Sequence, residues 1–332
     1  MLKTILVPLD GSPLAERALP FAAGLAQQLS AKVLLVRASV DVNEVNLSHG
    51  ELLEATSSLE LTERRRAMSE LVDVADRLRQ DGIAVETYVR SGHAAQVIVQ
   101  TARSREAGLI VMSTHGRGGL DRWLHGSVAD QVLRETPQPV ILVPPGYERP
   151  WPGHFPLRIL LTLDGSALAE AAIGPADDLA GALGAALMLV RVVEHSPPDA
   201  GGAGPRITGR HFETKLSEAQ KYLREVEHRL QTDGRLIAVR ITVGHPATAI
   251  TTIARMLKVH LLVMATHGRS GLARVVLGSV ATETLQQARV PLLLVRPSAL
   301  RATIETSSSE SFTGPVAASR GSFAHPDRRP YE

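Results

Sequence analysis

The sequence contains an internal repeat, which limits the folds that this chain can adopt. The segment from 110 to 133 reads IVMSTHGRGGLDRWLHGSVADQVL, and residues 262 to 285 read LVMATHGRSGLARVVLGSVATETL. The opening ILVPLDGS, which starts at Ile5, returns as ILLTLDGS from Ile159. Matches near both ends of the unit indicate that a whole domain is duplicated, and a chain of 332 residues is long enough for two domains.

The composition suggests where one copy ends and the next begins. We place a first domain at residues 1–146 and a second at 156–298. Residues 147–155 form a proline-rich linker, because proline is excluded from helix interiors and central strands. Residues 299–332 are rich in serine and have little apolar periodicity, so we expect a disordered tail.

Within each copy, short apolar runs alternate with longer amphipathic stretches. Continuous apolar strands are typical of parallel sheets that helices cover on both faces. In the first copy, the predicted strands are 4–9, 32–36, 84–89, 109–112 and 140–143, and the predicted helices are 14–29, 47–78, 94–103 and 128–135. This alternation predicts an α/β chain of two tandem Rossmann-like domains, each a five-stranded parallel doubly wound sheet.

The last apolar run of each copy, 140–143 and 292–295, would be an edge strand that needs cover. In a fused pair the two runs can cover each other. We therefore expect an intrachain pseudo-dimer of the two domains and leave a homodimer of the chain open.

The overall composition argues against several classes of function. The chain has no cysteine, which removes disulfides, thiolate nucleophiles and Cys-ligated zinc. The net charge is only +2 and aromatic residues make up 3%, so we expect no nucleic-acid partner. No apolar run approaches the roughly 20 residues that span a bilayer, and the N-terminus lacks a secretory signal, so we expect no membrane association and a cytoplasmic location.

An acidic turn follows the first predicted strand of each copy, as Asp10-Gly11-Ser12 and Asp164-Gly165-Ser166. In doubly wound sheets, ligands bind outside the carboxyl ends of the strands, where the strand order reverses. A carboxylate there can accept hydrogen bonds from a nucleotide or approach a phosphate-bound Mg²⁺. Asp and Ser are also ideal helix caps, and from the turn alone capping is the more favoured interpretation.

A glycine-rich loop follows the fourth predicted strand and leads into the last helix. It reads Thr114-His115-Gly116-Arg117-Gly118-Gly119 and then Gly126-Ser127, and its counterpart retains Thr266-His267-Gly268-Arg269, Gly271 and Gly278-Ser279. Glycines let backbone N–H groups approach an anion, and a helix N-terminus adds a favourable dipole, so the loop outlines a phosphate site. The alternative is a flexible turn with a capping box of Ser127 and Asp130.

Side chains of this loop leave further alternatives open. Arg117 and Arg269 either pair with phosphate oxygens or are only solvated. His115 and His267 suggest acid–base catalysis, but a ring nitrogen that holds the loop backbone is at least as consistent with the sequence. No nucleophile or metal ligand lies nearby along the chain.

These residues fit the pattern G-x2-G-x9-G-[S/T] after a fourth strand, opposite an aspartate after the first. On this basis both copies resemble the nucleotide-binding branch of the universal stress protein family. The resemblance implies the adenine nucleotide α-hydrolase-like fold and ATP as ligand, with adenine toward the first two strands and phosphates on the glycine loop. It also implies a divalent cation, Mg²⁺ or Mn²⁺, bound with the nucleotide.

The sequence departs from the family pattern at two places. Ser113 and Ala265 replace the first glycine of the pattern. Arg37 and Arg191 stand near the end of the second strand, where the resemblance implies a small apolar residue of the adenine pocket. These arginines either fold away from the pocket or select a more acidic ligand.

The motif positions and their neighbours give one predicted set of nucleotide-binding residues. In the first copy they are Asp10, Ser113, His115, Gly116, Arg117, Gly119, Gly126 and Ser127; in the second they are Asp164, Ala265, His267, Gly268, Arg269, Gly271, Gly278 and Ser279. We assign no catalytic residue and no metal-ligating side chain.

The functional hypothesis is an ATP-binding protein of stress response or signalling that acts through nucleotide-dependent conformation or partner binding. The alternatives are a nucleotide-free scaffold of the same fold and a slow ATPase. An enzyme is disfavoured because the chain has no G-x4-G-K-[S/T] loop and no convincing base or nucleophile.

Overall fold

The computed structural model describes residues 2–39, 52–114, 126–147, 151, 157–194, 209–231, 236–266 and 277–297. The first copy contains β1 (Thr4–Pro8), α1 (Pro13–Glu16), α2 (Leu19–Leu29), β2 (Lys32–Ser39), α3 (Leu52–Gln80), β3 (Val85–Ser91), α4 (Ala94–Ser104), β4 (Leu109–Ser113), α5 (Ser127–Glu135) and β5 (Val140–Val143). The predicted tail at 299–332 and most of the predicted linker lie outside the described residues.

The second copy repeats this order of elements. It contains β6 (Arg158–Thr162), α6 (Ala167–Glu170), α7 (Ile173–Ala182), β7 (Ala186–Val193), α8 (Gly209–Leu230), β8 (Ile237–Val243), α9 (Pro246–Met256), β9 (Leu261–Ala265), α10 (Ser279–Gln287) and β10 (Leu292–Val295). None of the helices in the described part of the chain is long and apolar enough to cross a membrane.

The ten strands within the described ranges form one sheet, in the order β3-β2-β1-β4-β5-β10-β9-β6-β7-β8. Each half is a parallel five-stranded sheet whose strand order reverses beside β1 or β6, which confirms the predicted doubly wound fold. The halves join where β5 and β10 pair antiparallel, with Leu142 opposite Leu292 and Val140 opposite Leu294. The two apolar edges therefore cover each other within one chain.

The helices divide between the two faces of the sheet. One buried apolar cluster includes Leu25 of α2, Leu71 of α3 and Leu223 of α8. The other includes Ile98 of α4 and Leu285 of α10. Because successive strand residues point to opposite faces, residues of one strand contribute alternately to the two clusters.

The helix predicted over 14–29 is in fact two helices, so this part of the prediction is wrong. The chain makes a turn between α1 and α2, where the Ala18 N–H donates to the Ala15 carbonyl. Pro20 in the first turn of α2 has no N–H to continue the helical hydrogen bonds. In the second copy the chain breaks at the corresponding place between α6 and α7, and Pro175 lies one residue further into the first turn of α7.

An aromatic contact docks the linker on α2. The Trp151 ring packs edge-on against Phe21 with 5.2 Å between centroids, and its Nε1 donates to Gln28 Oε1 at 3.1 Å. Gln28 Nε2 donates in turn to the Leu183 carbonyl of the second copy at 2.8 Å. Trp151 and Gln28 thus connect the first domain, the linker and the second domain.

Candidate functional site

The candidate site lies at the carboxyl ends of the parallel strands. β1 lies between β2 and β4 in the sheet, and β6 lies between β7 and β9. The acidic turn after β1 therefore leaves the sheet beside the end of β4, and its counterpart after β6 leaves beside the end of β9. The topology brings together the two segments that the sequence singled out.

The acidic turns have nearly the same geometry in both copies. Asp10 Oδ1 accepts from the Ser12 N–H at 2.9 Å, and Ser12 Oγ accepts from the Ala15 N–H at 3.2 Å as the cap of α1. Asp164 Oδ1 accepts both the N–H and the hydroxyl of Ser166, at 2.9 and 2.6 Å. Capping by the serine is therefore present, and the aspartate holds the turn through one carboxylate oxygen.

The glycine before the last helix binds back to the end of the preceding strand. The Gly126 N–H donates to the Thr114 carbonyl at 2.8 Å, and the Gly278 N–H donates to the Thr266 carbonyl at 2.7 Å. These glycines are the N-caps of α5 and α10, and neither helix has a side-chain cap. The N-terminus of each helix, with its unpaired backbone N–H groups, is thus fixed at the carboxyl edge of the sheet.

These cap glycines do not adopt a backbone conformation that requires glycine. Gly126 has φ −59° and ψ 141°, and Gly278 has φ −59° and ψ 156°, which any residue can adopt. Serine or aspartate would cap the helix at least as well. The needs of the helix therefore do not explain a glycine at this position.

The alternative of a capping box at α5 is wrong. Ser127 is the first helical residue rather than the cap, and its side chain is exposed. Asp130 accepts from Arg134 Nη2 at 3.1 Å, one turn further along the helix. Gly126 occupies the cap position, which leaves the Ser127 hydroxyl at the site edge rather than engaged in a capping box.

A cavity of about 420 Å³ lies at this position in the second copy. Four predicted residues, Asp164, Ala265, Gly278 and Ser279, line it together. Its apolar wall includes the side chains of Val190, Val192, Ile250, Met264 and Ala281. A volume of this size is in the range of small-molecule pockets.

The first copy places its predicted residues on the same elements. Asp10 follows β1, Ser113 ends β4, and Gly126 and Ser127 begin α5. The remaining predicted residues lie outside the described part of the chain, namely His115, Gly116, Arg117, Gly119, His267, Gly268, Arg269 and Gly271.

The register of the second strand bears on the two alternatives that the sequence left open for the arginines. Val190 packs with the cluster on the α9 and α10 face, whereas the Arg191 guanidinium lies over the Tyr222 ring of α8; both residues line the cavity. The corresponding Arg37 bonds to Glu70 of α3 and is buried. A shift of one residue moves a strand side chain to the other face, so valine, not arginine, forms the apolar wall.

Three charged residues of the cavity were not anticipated from the sequence. Glu194 follows β7, and Lys215 and Glu218 lie on α8; all three line the cavity. The two long helices α3 and α8 have similar spacing of apolar residues, but their polar residues differ. A comparison of the two copies therefore did not single out Lys215 or Glu218.

The Arg37–Glu70 ion pair predicts a pH-dependent stability. The hydrogen bond from Arg37, followed by that from Arg66, holds the pKa of Glu70 below its ordinary value of 4.5. A lowered folded-state pKa adds stability above pH 4.5, and this stability is lost as the pH falls through the folded-state value. We expect Glu70→Gln to lower the free energy of unfolding by about 1–2 kcal/mol at pH 7, because it leaves the buried Arg37 unpaired.

Urea unfolding of both proteins at pH 7 and pH 3 measures this effect. The difference between wild type and Glu70→Gln should shrink at the lower pH. Equal unfolding midpoints at pH 7, or a difference that grows on acidification, would contradict the assignment.

The fold and the site geometry together define a class: tandem doubly wound α/β domains with a glycine-capped helix at the switch point. The sequence profile of the universal stress protein family matches residues 1–144 and 157–296. The chain belongs to this family, as a tandem member.

Individual relatives agree with this assignment. A universal stress protein of Mycolicibacterium smegmatis is 27% identical over 295 residues, which cover 88% of this chain and 97% of the relative. One of Synechocystis is 26% identical over 314 residues, covering 89% of this chain and 100% of the relative. A protein of Thermus aquaticus with the same family name is 36% identical over 144 residues, 43% of this chain and 99% of its own.

Solved structures share the tandem fold. A universal stress protein of Pseudomonas aeruginosa superposes with a TM-score of 0.63 at 20% identity and covers 93% of this chain and 98% of its own. One of Archaeoglobus fulgidus gives 0.61 at 17% identity and covers 89% and 99%. At these identities the likeness shows the fold alone.

Proposed function

We propose that this chain binds adenine nucleotide, with ATP as the principal ligand, at the carboxyl edge of its sheet. Bound nucleotide then sets the conformation or the partner choice of a stress-response protein. The observation that carries the proposal is the cavity of the second copy, where Asp164, Gly278 and Ser279 converge.

The cavity offers chemistry that suits the parts of such a ligand. The start of α10 presents backbone N–H groups and a helix dipole to the phosphates. The apolar wall of Val190, Val192 and Met264 suits a purine base. The Asp164 carboxylate, held by its turn, can accept from a hydroxyl or amine of the nucleoside.

The divalent cation would come with the nucleotide. In the described part of the chain, no group of three or more His, Cys, Asp or Glu side chains is arranged to hold a metal ion. Phosphate oxygens and water would therefore supply most ligands of a Mg²⁺ ion, as is common for nucleotide-bound Mg²⁺. Asp10 and Asp164, in the turns after β1 and β6, are carboxylates that could approach such an ion.

Equilibrium dialysis of the purified chain with labelled ATP and Mg²⁺ tests the proposal. We expect saturable binding that unlabelled ATP displaces, and adenine nucleotide in native mass spectra of the protein. Absence of saturable binding at millimolar ATP would contradict the proposed function and favour a scaffold of the same fold.

A further inference from the structure

The sheet ends in β3 on one side and in β8 on the other. In the part of the chain that the structure describes, each of these strands pairs with one neighbour, β2 or β7. The outer side of such a strand carries backbone N–H and C=O groups that a further strand can bind, and proteins commonly protect it with charged side chains. The two end strands differ in whether this protection is present.

Charged side chains protect β3. Glu86 accepts from Lys32 Nζ of β2 and from Nη1 of Arg105, the C-cap of α4, both at 2.6 Å. The same Arg105 guanidinium lies over the Tyr88 ring of β3, 5.2 Å from its centroid. The hydrogen bond from Lys32, with the charges of Lys32 and Arg105, holds the pKa of Glu86 below its ordinary value of 4.5. The α4 face of β3 therefore carries an ionised, paired cluster.

The second copy has none of these three charges. The corresponding positions are all apolar, namely Ala186, Ala238 and Leu257. The strand registers support this equivalence, because Glu86 stands opposite Leu34 of β2 and Ala238 stands opposite Met188 of β7. Leu34 is fully buried, whereas Met188 is 9% exposed. The sheet beside β8 is therefore less covered than the sheet beside β3.

The side chains along β8 are apolar and accessible. Ala238 is exposed, and Leu236, directly before the strand, is 70% exposed. On the other face of β8, Ile237, Val239 and Ile241 are only partly buried against the core. We call the outer side of β8, with Leu236 and Ala238, the β8 edge. It combines backbone groups that no described strand pairs with an apolar surface, and strand addition by an extended peptide uses both.

The charge beside the β8 edge is positive. Neither β8 nor α9 contains Asp or Glu, and the sequence has no acidic residue from 234 to 282. Arg240 is exposed on the same face of β8 as Ala238, and Arg255 is exposed in the last turn of α9. Two copies of this chain that paired through β8 would bring like charges together, which is unfavourable. A segment that carries Asp or Glu between apolar residues complements both the charge and the apolar surface.

We propose that the β8 edge is a docking site for an extended acidic segment of a partner protein, which adds to the sheet as a further strand. Apolar residues of the segment pack on Leu236 and Ala238, and one of its carboxylates binds Arg240. The first copy does not offer the same surface, because the charged cluster around Glu86 lies on the corresponding face. This inference is independent of the proposed nucleotide site.

Titration of the full chain with a short, fluorescein-labelled peptide of alternating Glu and Val tests the inference. We expect saturable binding, measured as a rise in fluorescence anisotropy, and no binding of the matched peptide of alternating Lys and Val. Arg240→Gln should weaken binding about tenfold, the size of one charge-assisted hydrogen bond. The triple variant Ala186→Lys, Ala238→Glu and Leu257→Arg, which recreates the cluster of the first copy, should abolish binding.

Arg90→Gln changes an exposed arginine of β3 and is the matched control, which should bind the peptide like wild type. Circular dichroism melts confirm that each variant is folded. In hydrogen–deuterium exchange, the bound peptide should slow the amides of β8 and leave those of β3 unchanged.

Three results would overturn the inference: no saturable binding at millimolar peptide, equal binding by wild type and Arg240→Gln, or protection of β3 instead of β8. A wild-type dimer in light scattering that the triple variant converts to a monomer would also overturn it, because the β8 edge would then bind a second copy of this chain.

Discussion

Replacing Gly24 with alanine should destabilise the chain by about 2–3 kcal/mol, although alanine is the better helix former. Gly24 lies within α2, directly under the Trp151 side chain. A Cβ at this position would overlap Cβ, Cγ and Cδ2 of Trp151. These atoms are close to the backbone, so the tryptophan cannot avoid the clash by a small rotation and must leave its place against Phe21.

Gly174→Ala is the matched control. Gly174 lies in the first turn of α7, and a Cβ there would meet no atom within 4 Å. This substitution should stabilise the chain by up to about 1 kcal/mol, since alanine loses less backbone entropy in a helix. Urea unfolding curves of the two variants should therefore shift in opposite directions from wild type.

Tryptophan fluorescence measures whether Trp151 leaves its contact with Phe21. The chain has two tryptophans, Trp123 and Trp151, so a Trp123→Phe background isolates the linker signal. Emission from Trp151 should shift to the red in Gly24→Ala and stay unchanged in Gly174→Ala. If Gly24→Ala unfolds at the same or a higher urea concentration than wild type, Trp151 does not pack over Gly24.

Replacing Gly278 with aspartate should have opposite effects on the stability of the chain and on its affinity for ATP. Aspartate is a good N-cap and its charge favours a helix N-terminus, so α10 should gain about 0.5 kcal/mol. The same carboxylate would occupy the place of a phosphate, and we expect ATP affinity at this site to fall about 100-fold. Gly126→Asp should do the same in the first copy.

Thermal melts and calorimetry on the same samples measure the two effects. Each single variant should lose tight ATP binding in one of the two copies, and the double variant should lose it in both. Gly174→Asp adds the same charge near the start of α7 and should not change affinity. Unaltered ATP binding by the double variant would show that the helix starts do not hold the phosphates.

Much of the architecture follows from the sequence. The apolar runs and the internal repeat predicted two doubly wound parallel sheets, and the rule that ligands meet parallel strands at their carboxyl ends singled out the turn at Asp164 and the loop before Gly278. The pairing of β5 with β10 followed because two apolar edges in one chain can cover each other. These features depend on local pattern and topology, which the sequence displays directly.

Other features depend on tertiary contacts that no local pattern encodes. The sequence left open whether Arg37 faces the pocket, because strand side chains alternate between the two faces and a shift of one residue reverses them; the structure places Arg37 against Glu70 of α3. Trp151 packs directly against Gly24 of α2, where any side chain would clash with it. In α7 the exposed Asp178 lies near the corresponding position, so a comparison of the two copies could not predict this contact. Lys215 and Glu218 reach the cavity from a helix outside the repeated motifs.

We expect the nucleotide phosphates to lie on the starts of α5 and α10, beside the acidic turns. A crystal of the full chain grown with excess ATP and Mg²⁺ tests it directly. We predict phosphate oxygens within hydrogen-bond distance of the backbone N–H groups at Ser279, and the nucleoside against Val190 and Asp164. Nucleotide bound elsewhere on the chain, with this cavity filled by side chains, would contradict the claim.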